Sequence, residues 1–241
     1  MIMLKLITSD FEMSEVVIVG AGASTRMKGV NKLLLRIDGK TVIEKSIEAF
    51  QNVSSVERIV LVSSEQNFPF FNEISNNYSK IFDVVKGGKE RQDSVYNGLK
   101  ALEKTGENIV LIHDGARPFI SKEIIEKTEK ECENHGAAVV AVKAKNTIKI
   151  VRDGFVERTL DRSLLWEMQT PQALKKSIAL KAFEKAFQEG FYGTDDVQLA
   201  ERIGVKTKIV EGSYYNIKIT TPEDVKIAEI ISSELKNKSV N

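Results

Sequence analysis

One cysteine, two histidines, one tryptophan and four prolines in 241 residues leave several chemistries without their reagents. A single thiol, Cys132, closes no disulfide within the chain, which fits a reducing compartment and points to the cytoplasm. It stands in Glu129-Lys130-Glu131-Cys132-Glu133, read as an exposed helix whose carboxylates would raise the thiol's pKa and quiet it. Two histidines and one cysteine are too few to suggest a zinc site. Apolar runs such as 109–112 and 137–142 fall far short of the roughly 20 residues of a membrane span. Charge of one sign is lacking too: 35 basic residues against 34 acidic ones leave +1. No global field recruits nucleic acid or a membrane surface, so recognition of an anion has to be local. There is no repeat, low-complexity tract or Pro/Gly-rich linker, and residues 14–241 read as one domain. Residues 1–13 are mildly apolar but broken by Asp10 and Glu12; they read as an N-terminal leader with Met13 as a possible alternative start.

What is present alternates. β-Branched runs at 15–19, 58–62, 81–85, 108–113, 137–142 and 205–210 predict strands. Between them, 91–104 carries Val95, Leu99 and Leu102 at helical spacing, and 121–134 opens on a capping serine. Strand and helix in alternation predict an α/β fold with a mostly parallel sheet covered by helices on both faces. One stretch breaks the rhythm: from Asn146 to Trp166, alternating residues flank Asp153-Gly154, the signature of a β-hairpin. It is either an ordinary edge hairpin or an arm crossing to a second subunit.

The chemistry concentrates in three places. Val19-Gly20-Ala21-Gly22-Ala23-Ser24-Thr25-Arg26-Met27 closes the first strand with a small-residue loop, and Lys32 follows. Small side chains let backbone N–H groups turn toward an anion, and Arg26 and Lys32 offset the charge of a polyphosphate. A dinucleotide fingerprint would begin in the same way, but its third glycine is Thr25 here, and the acid after the next strand, Glu65, comes late. Asp114 follows the apolar strand Ile109-Val110-Leu111-Ile112, at a strand's carboxyl end, where open α/β sheets bind ligands. A hard oxygen ligand beside a polyphosphate suits Mg²⁺. His113 reads as a packed strand residue. Near the C-terminus, Thr194 is expected to cap a helix running to Ile203, and Lys218 to lie on a short strand before a helix that starts at Thr221-Pro222-Glu223-Asp224.

In order along the chain stand Ala21-Gly22-x-x-x-Arg26-Met27 with Lys32, Gly87-Gly88-x-x-Arg91-x-x-Ser94-Val95, His113-Asp114-x-Ala116-Arg117-Pro118, Gln169-Thr170-Pro171-Gln172, Thr194-Asp195-Asp196 and Asn216-Ile217-Lys218-Ile219-Thr220. The set resembles the 2-C-methyl-D-erythritol 4-phosphate cytidylyltransferases of non-mevalonate isoprenoid biosynthesis, from about Glu15 to the last helix. The resemblance implies a Rossmann-like fold of the nucleotide-diphospho-sugar transferase kind. It also implies CTP and Mg²⁺ and a homodimer joined by a protruding hairpin arm at 146–166.

On that resemblance, Gly20, Ala21, Gly22, Ala23, Ser24 and Thr25 hold the triphosphate, while Arg26, Lys32 and Lys218 carry the catalytic charge. Gly88 and Ser94 read cytosine, Gly115 lies by the ribose and Asp114 holds Mg²⁺. Thr147 and Arg162 of the partner's arm, with Arg117, Thr194 and Lys218, hold the methylerythritol phosphate. This chain departs from the family's usual residues at Gly20, Ser24, Asn31, Leu33, Lys89 and Gly115. Without a proline beside Lys32, ordering that loop is expected to cost more. A pentitol-phosphate cytidylyltransferase and a nicotinamide or flavin oxidoreductase remain the alternatives.

Overall fold

A computed structural model describes residues 13–22, 31–106 and 108–239. Eleven strands and seven α-helices alternate along the described chain. In order they are β1 (Ser14–Gly20), β2 (Arg36–Ile37), β3 (Lys40–Thr41), α1 (Val42–Gln51), β4 (Val56–Ser63), α2 (Phe68–Ser75), β5 (Ile81–Lys86), α3 (Arg91–Ala101) and β6 (Ile109–Asp114). Then come α4 (Lys122–His135), β7 (Ala137–Lys143), β8 (Lys149–Arg152), β9 (Phe155–Thr159), β10 (Trp166–Lys175), α5 (Lys176–Gln188), α6 (Asp196–Arg202), β11 (Lys208–Glu211) and α7 (Pro222–Ser239).

Seven strands form one sheet in the order β11-β7-β10-β6-β1-β4-β5. All neighbours pair in parallel except β10, which runs antiparallel to both β6 and β7. Alternation decides the layers. On β1, Val16 and Ile18 join a core with α1, α2, α4 and α7, while Val17 points the other way into a core with α3, α5 and α6. The chain lays β1, β4 and β5 side by side and then returns to place β6 on the far side of β1. That reversal opens a crevice at the carboxyl ends of β1 and β6, where Val19 pairs with Asp114.

Helix boundaries follow their caps. Thr41 caps α1 in a reciprocal box with Glu44, Ser121 caps α4, and Gly136 ends α4 at φ 83. The β8–β9 hairpin turns through Asp153 at φ 50 and Gly154 at φ 83, the left-handed pair a two-residue hairpin turn requires. Its strands contact chiefly each other.

Several expectations are corrected. Cys132, expected on an exposed helix face, is instead buried on the inner face of α4, its thiol donating to the Gly136 carbonyl at 3.6 Å. The cap of α6 is Asp195, whose carboxylate accepts from the Gln198 N–H at 3.0 Å; Thr194 lies one residue outside, and the helix ends at Arg202. Residues 216–220 form no strand, and Lys218 sits on an irregular strap. The sheet also contains a strand the periodicity did not predict, β10. Its Gln169, Thr170 and Gln172 are buried, and its ladder with β7 is interrupted between Met168 and Gln172, where Pro171 falls.

Candidate active site

The crevice at the reversal of strand order opens into a cleft of about 520 Å³. Its walls include Gly20, Ala21 and Gly22 after β1, Lys32, then Gly88, Arg91 and Ser94 at the start of α3, with Asp114 at the end of β6 and Lys218 on the strap before α7. Five separate chain segments thus meet in a space of the size that binds small ligands. Ala23, Ser24, Thr25 and Arg26 lie outside the described residues.

Close backbone approach makes the cleft. A Cβ on Gly87 would stand 2.3 Å from the Ala21 Cβ, so only glycine lets the loop before α3 meet the loop after β1. The Gly88 N–H donates to Ser94 Oγ at 3.0 Å, and Ser94 Oγ donates in turn to the Glu90 carbonyl, which folds that loop around the first turn of α3. On the opposite wall Asn31 does by hydrogen bonds what a proline would do by ring geometry. Its side chain donates to Asn67 Oδ1 at 2.5 Å and accepts from the Leu33 N–H at 3.2 Å, fixing the approach to Lys32. Leu33 is buried against the core.

Asp114 is the electrostatic centre. Lys218 Nζ lies 2.8 Å from its Oδ2, Arg91 Nε 3.2 Å from its Oδ1, and Arg117 Nε 3.7 Å from its Oδ2. Burial opposes the carboxylate charge, but Arg91, Lys218 and Arg117 together outweigh it and hold Asp114 well below the usual carboxylate range. Arg91 also grips Asp196 with both terminal nitrogens, each at 2.8 Å. Asp196 is buried at the start of α6, so the guanidinium ties the α3 side of the cleft to the segment carrying Thr194.

His113 faces away from the cleft and braces the turn from Asp114 to Arg117. The Asp114 N–H donates to Thr170 Oγ1 at 3.1 Å, and because the Arg117 carbonyl can only accept from His113 Nε2, the neutral ring leaves Nδ1 to accept from the Thr170 hydroxyl at 3.0 Å. His113 Nε2 then carries the ring proton and donates to the Arg117 carbonyl at 3.0 Å. The turn is thus pinned at Asp114 to β10 and at Arg117 to His113, which Thr170 of β10 holds in turn. Burial pushes His113 down to about 4, so the neutral ring is the one present near neutrality.

The remaining site candidates lie around the rim or apart. Gly115 donates its N–H to the Val19 carbonyl at 2.9 Å, stitching β6 to β1 beneath the cleft. Arg117 sits behind Asp114, with Nη1 donating to the Asn216 carbonyl at 2.8 Å. Thr194 is exposed beside α6. Thr147 and Arg162 do not line this cleft; Arg162 borders a separate hollow with Lys143 and Lys145 at the base of the hairpin.

Sequence reasoning assigned no role to Arg91, Asp196 or Thr170. Arg91 had a signal in its fixed distance from Gly87-Gly88, whereas the partners of Thr170 and Asp196 are far off in the chain. Among the described residues no group of three or more His, Cys, Asp or Glu side chains is placed to hold a metal. A cation here would rest on Asp114 with ligand oxygens completing its shell.

The sequence model of the 2-C-methyl-D-erythritol 4-phosphate cytidylyltransferase family matches residues 14–234. A protein so named from Caldanaerobacter subterraneus subsp. tengcongensis is 49% identical over 219 residues, covering 89% of this chain and 96% of that one. Its counterpart from Bacillus licheniformis is 46% identical over 230 residues, 94% and 99% of the two chains. Among solved structures, the 4-diphosphocytidyl-2C-methyl-D-erythritol synthase of Anaerococcus prevotii superposes with a TM-score of 0.83 at 34% identity, covering 93% of this chain and 100% of that one.

Proposed function

The chain belongs to the 2-C-methyl-D-erythritol 4-phosphate cytidylyltransferase family, and from that premise we propose how its own residues divide the work. The reaction transfers the cytidylyl group of CTP to 2-C-methyl-D-erythritol 4-phosphate, giving 4-diphosphocytidyl-2-C-methyl-D-erythritol and pyrophosphate in isoprenoid biosynthesis. The observation that carries the assignment of roles is the cleft in which Asp114, Lys218 and Lys32 converge with the glycine loop after β1.

An oxygen of the acceptor's phosphate forms a bond to the α-phosphorus of CTP as the bond from that phosphorus to the bridging oxygen of the β-phosphate breaks, and pyrophosphate leaves. A phosphate monoester is already a competent nucleophile, so no general base is required. The obstacle is repulsion between two anions. Cations held where charge grows lower that barrier: Lys32 toward the triphosphate and Lys218 toward the phosphate that attacks, with Arg26 added to the triphosphate side by the family resemblance alone. Backbone groups of Gly20, Ala21 and Gly22, with Ala23, Ser24 and Thr25, cradle the triphosphate. Gly88 and Ser94 form the floor for the base, with Gly115 beneath the ribose.

Asp114 fits the role of a Mg²⁺ ligand. It is ionised, it faces the cleft, and one carboxylate is the usual protein share of a metal held mainly by phosphate oxygens and water. When bound, the ion would screen the triphosphate and withdraw charge from the leaving pyrophosphate. Lys218 and Arg91 hold the Asp114 carboxylate in place for it.

The acceptor site is completed by a second subunit. Thr147 and Arg162 lie away from the cleft of their own chain, and the hairpin exposes Phe155 at 80% and Leu164 at 76% together with Val151 and Val156. An apolar two-stranded arm of this kind is marginal alone and calls for a covering surface. A homodimer that exchanges arms covers it and delivers Thr147 and Arg162 to the neighbour's Thr194, Arg117 and Lys218. Among the described residues no helix is long and apolar enough to cross a membrane; with the lone thiol buried and a nucleoside triphosphate as co-substrate, the enzyme is assigned to the cytoplasm.

The direct test is pyrophosphate release with CTP and Mg²⁺, run against methylerythritol phosphate and ribitol 5-phosphate in parallel. Turnover with the methylerythritol phosphate well ahead of the pentitol is the expected result; the reverse order would reject the acceptor.

A further inference from the structure

The strap that carries Lys218 is fastened to the root of the arm by one side chain. At its start the Gly212 N–H donates to the Ala141 carbonyl at 2.8 Å, and farther on the Asn216 amide donates to the Thr170 carbonyl at 2.9 Å. Between these two anchors, Tyr214 reaches across to the end of β7. Its hydroxyl donates to the Lys143 carbonyl at 2.7 Å, and its ring lies under the Lys145 ammonium, 3.4 Å from Nζ to the centroid. Lys145 is held a second time, because its carbonyl accepts from Arg162 Nη1 at 2.6 Å. Tyr214, Lys145 and Arg162 therefore stand in one line of contacts, and Thr147 begins two residues beyond Lys145.

We propose that Tyr214 is a positioning residue for the acceptor site of the neighbouring subunit: through Lys143 and Lys145 it sets the root of the arm and so aims Arg162 and Thr147. The inference rests on the reading of an acceptor site shared between subunits and adds a residue that touches neither substrate. Its physical basis is the arm's own weakness. The hairpin contacts chiefly itself, so its direction is set at its root, and over its length a small rotation at 143–145 becomes a displacement of a guanidinium that has to meet a phosphate within hydrogen-bond range. A ring clamped from one side by a carbonyl and from the other by a cation resists that rotation. The same strap bears Lys218, so each subunit's acceptor-side lysine and the arm it lends to its neighbour share one support.

The test uses heterodimers of the full chain, co-expressed with two different tags, in which one subunit carries Asp114→Ala. The single intact cleft then belongs to the other subunit and borrows its arm from the Asp114→Ala subunit. Tyr214→Ala placed on the Asp114→Ala subunit should raise the KM for methylerythritol phosphate on the order of tenfold, with the KM for CTP nearly unchanged. Tyr214→Phe, which keeps the ring under Lys145 and loses only the hydroxyl, should raise it roughly threefold in the same place. If the defect appears only when Tyr214→Ala shares a subunit with the intact Asp114, the residue acts through Lys218 alone and the inference is overturned. Arg162→Ala in the lending subunit separates the two levels. If it leaves the KM for the acceptor unchanged, the shared site itself fails and this inference falls with it; if it raises that KM while Tyr214→Ala does not, only the role of Tyr214 is lost.

Discussion

Lys32 and Lys218 come from opposite ends of the chain and line one cleft, yet their surroundings differ. Lys218 lies 2.8 Å from the Asp114 carboxylate on the strap before α7, and Lys32 lines the cleft from the segment that Asn31 and Leu33 anchor. Charge that acts where negative charge grows shows itself in kcat more than in binding. Lys32→Ala should therefore lower kcat by about 10²-fold or more, with the Kd for CTP rising less than about tenfold; stopped-flow binding beside steady-state turnover checks the split, and equal losses would remove the role. His113 makes a second prediction, about stability. Its pKa in the folded protein, about 4, lies below its ordinary value near 6.5, so the unfolded chain binds the extra proton first as the solution is acidified. Stability from this residue is complete above about pH 6.5 and is lost as pH falls toward 4, by up to about 3 kcal/mol. Urea unfolding at pH 7.5 and pH 5 should show that loss in the parent protein and a smaller one in His113→Gln.

Two elements are joined by a buried ion pair. Glu15 on β1 and Lys176 at the start of α5 are both almost fully buried, with Lys176 Nζ 2.6 Å from Glu15 Oε2; Lys176 also donates to the Leu102 carbonyl and Thr105, and Arg58 reaches Glu15 from β4. Removing Lys176 leaves the buried Glu15 charge with Arg58 as its remaining partner at 3.2 Å, whereas removing both charges leaves no under-compensated ion in the interior. Lys176→Met alone should destabilise the protein by about 3–5 kcal/mol, and Glu15→Gln with Lys176→Met by distinctly less; a double-mutant cycle from urea melts measures the difference. The elements also show how far local signals carry. β1, β4, β6 and β7 were legible because strands buried on both faces read as β-branched runs, and the half-exposed edge strand β5 was legible from Ile81, Val84 and Val85. β10 was not, since its buried Gln169, Thr170 and Gln172 satisfy themselves on partners distant in sequence, such as Ser213, Asn216, His113 and the N–H groups of α6. Gly87→Ala tests the closest approach between elements: a methyl meeting Ala21 should part the two loops and weaken CTP binding by roughly tenfold or more with little change in Tm, as read by calorimetry.

At the scale of the whole molecule, Thr147 and Arg162, proposed to hold the acceptor, do not line the cleft of their own chain. The hairpin exposes Phe155 and Val156 on strands that contact little else of their own chain. Phe155→Ser with Val156→Asp should shift the protein toward monomer in sedimentation velocity and cut acceptor turnover strongly, while the Kd for CTP, whose proposed site draws on one chain, stays within about threefold. A dimer and an unchanged acceptor KM would refute the exchanged arm.

The sequence by itself determined the alternation of strand and helix, the hairpin turn at Asp153-Gly154, and the residue types that polyphosphate chemistry needs, because those depend on local periodicity, backbone stereochemistry and charge. Only the tertiary structure decided which of them meet. That the chain doubles back across β1, bringing Asp114 beside the glycine loop, follows from how two apolar faces of one sheet are covered. That Arg91 serves Asp114 and Asp196 together, that the packed His113 is also a neutral bracket, and that Cys132 is buried all depend on neighbours tens of residues away. Contacts between residues so far apart in the chain have no local period to announce them, since burial and hydrogen bonding are settled when the layers pack.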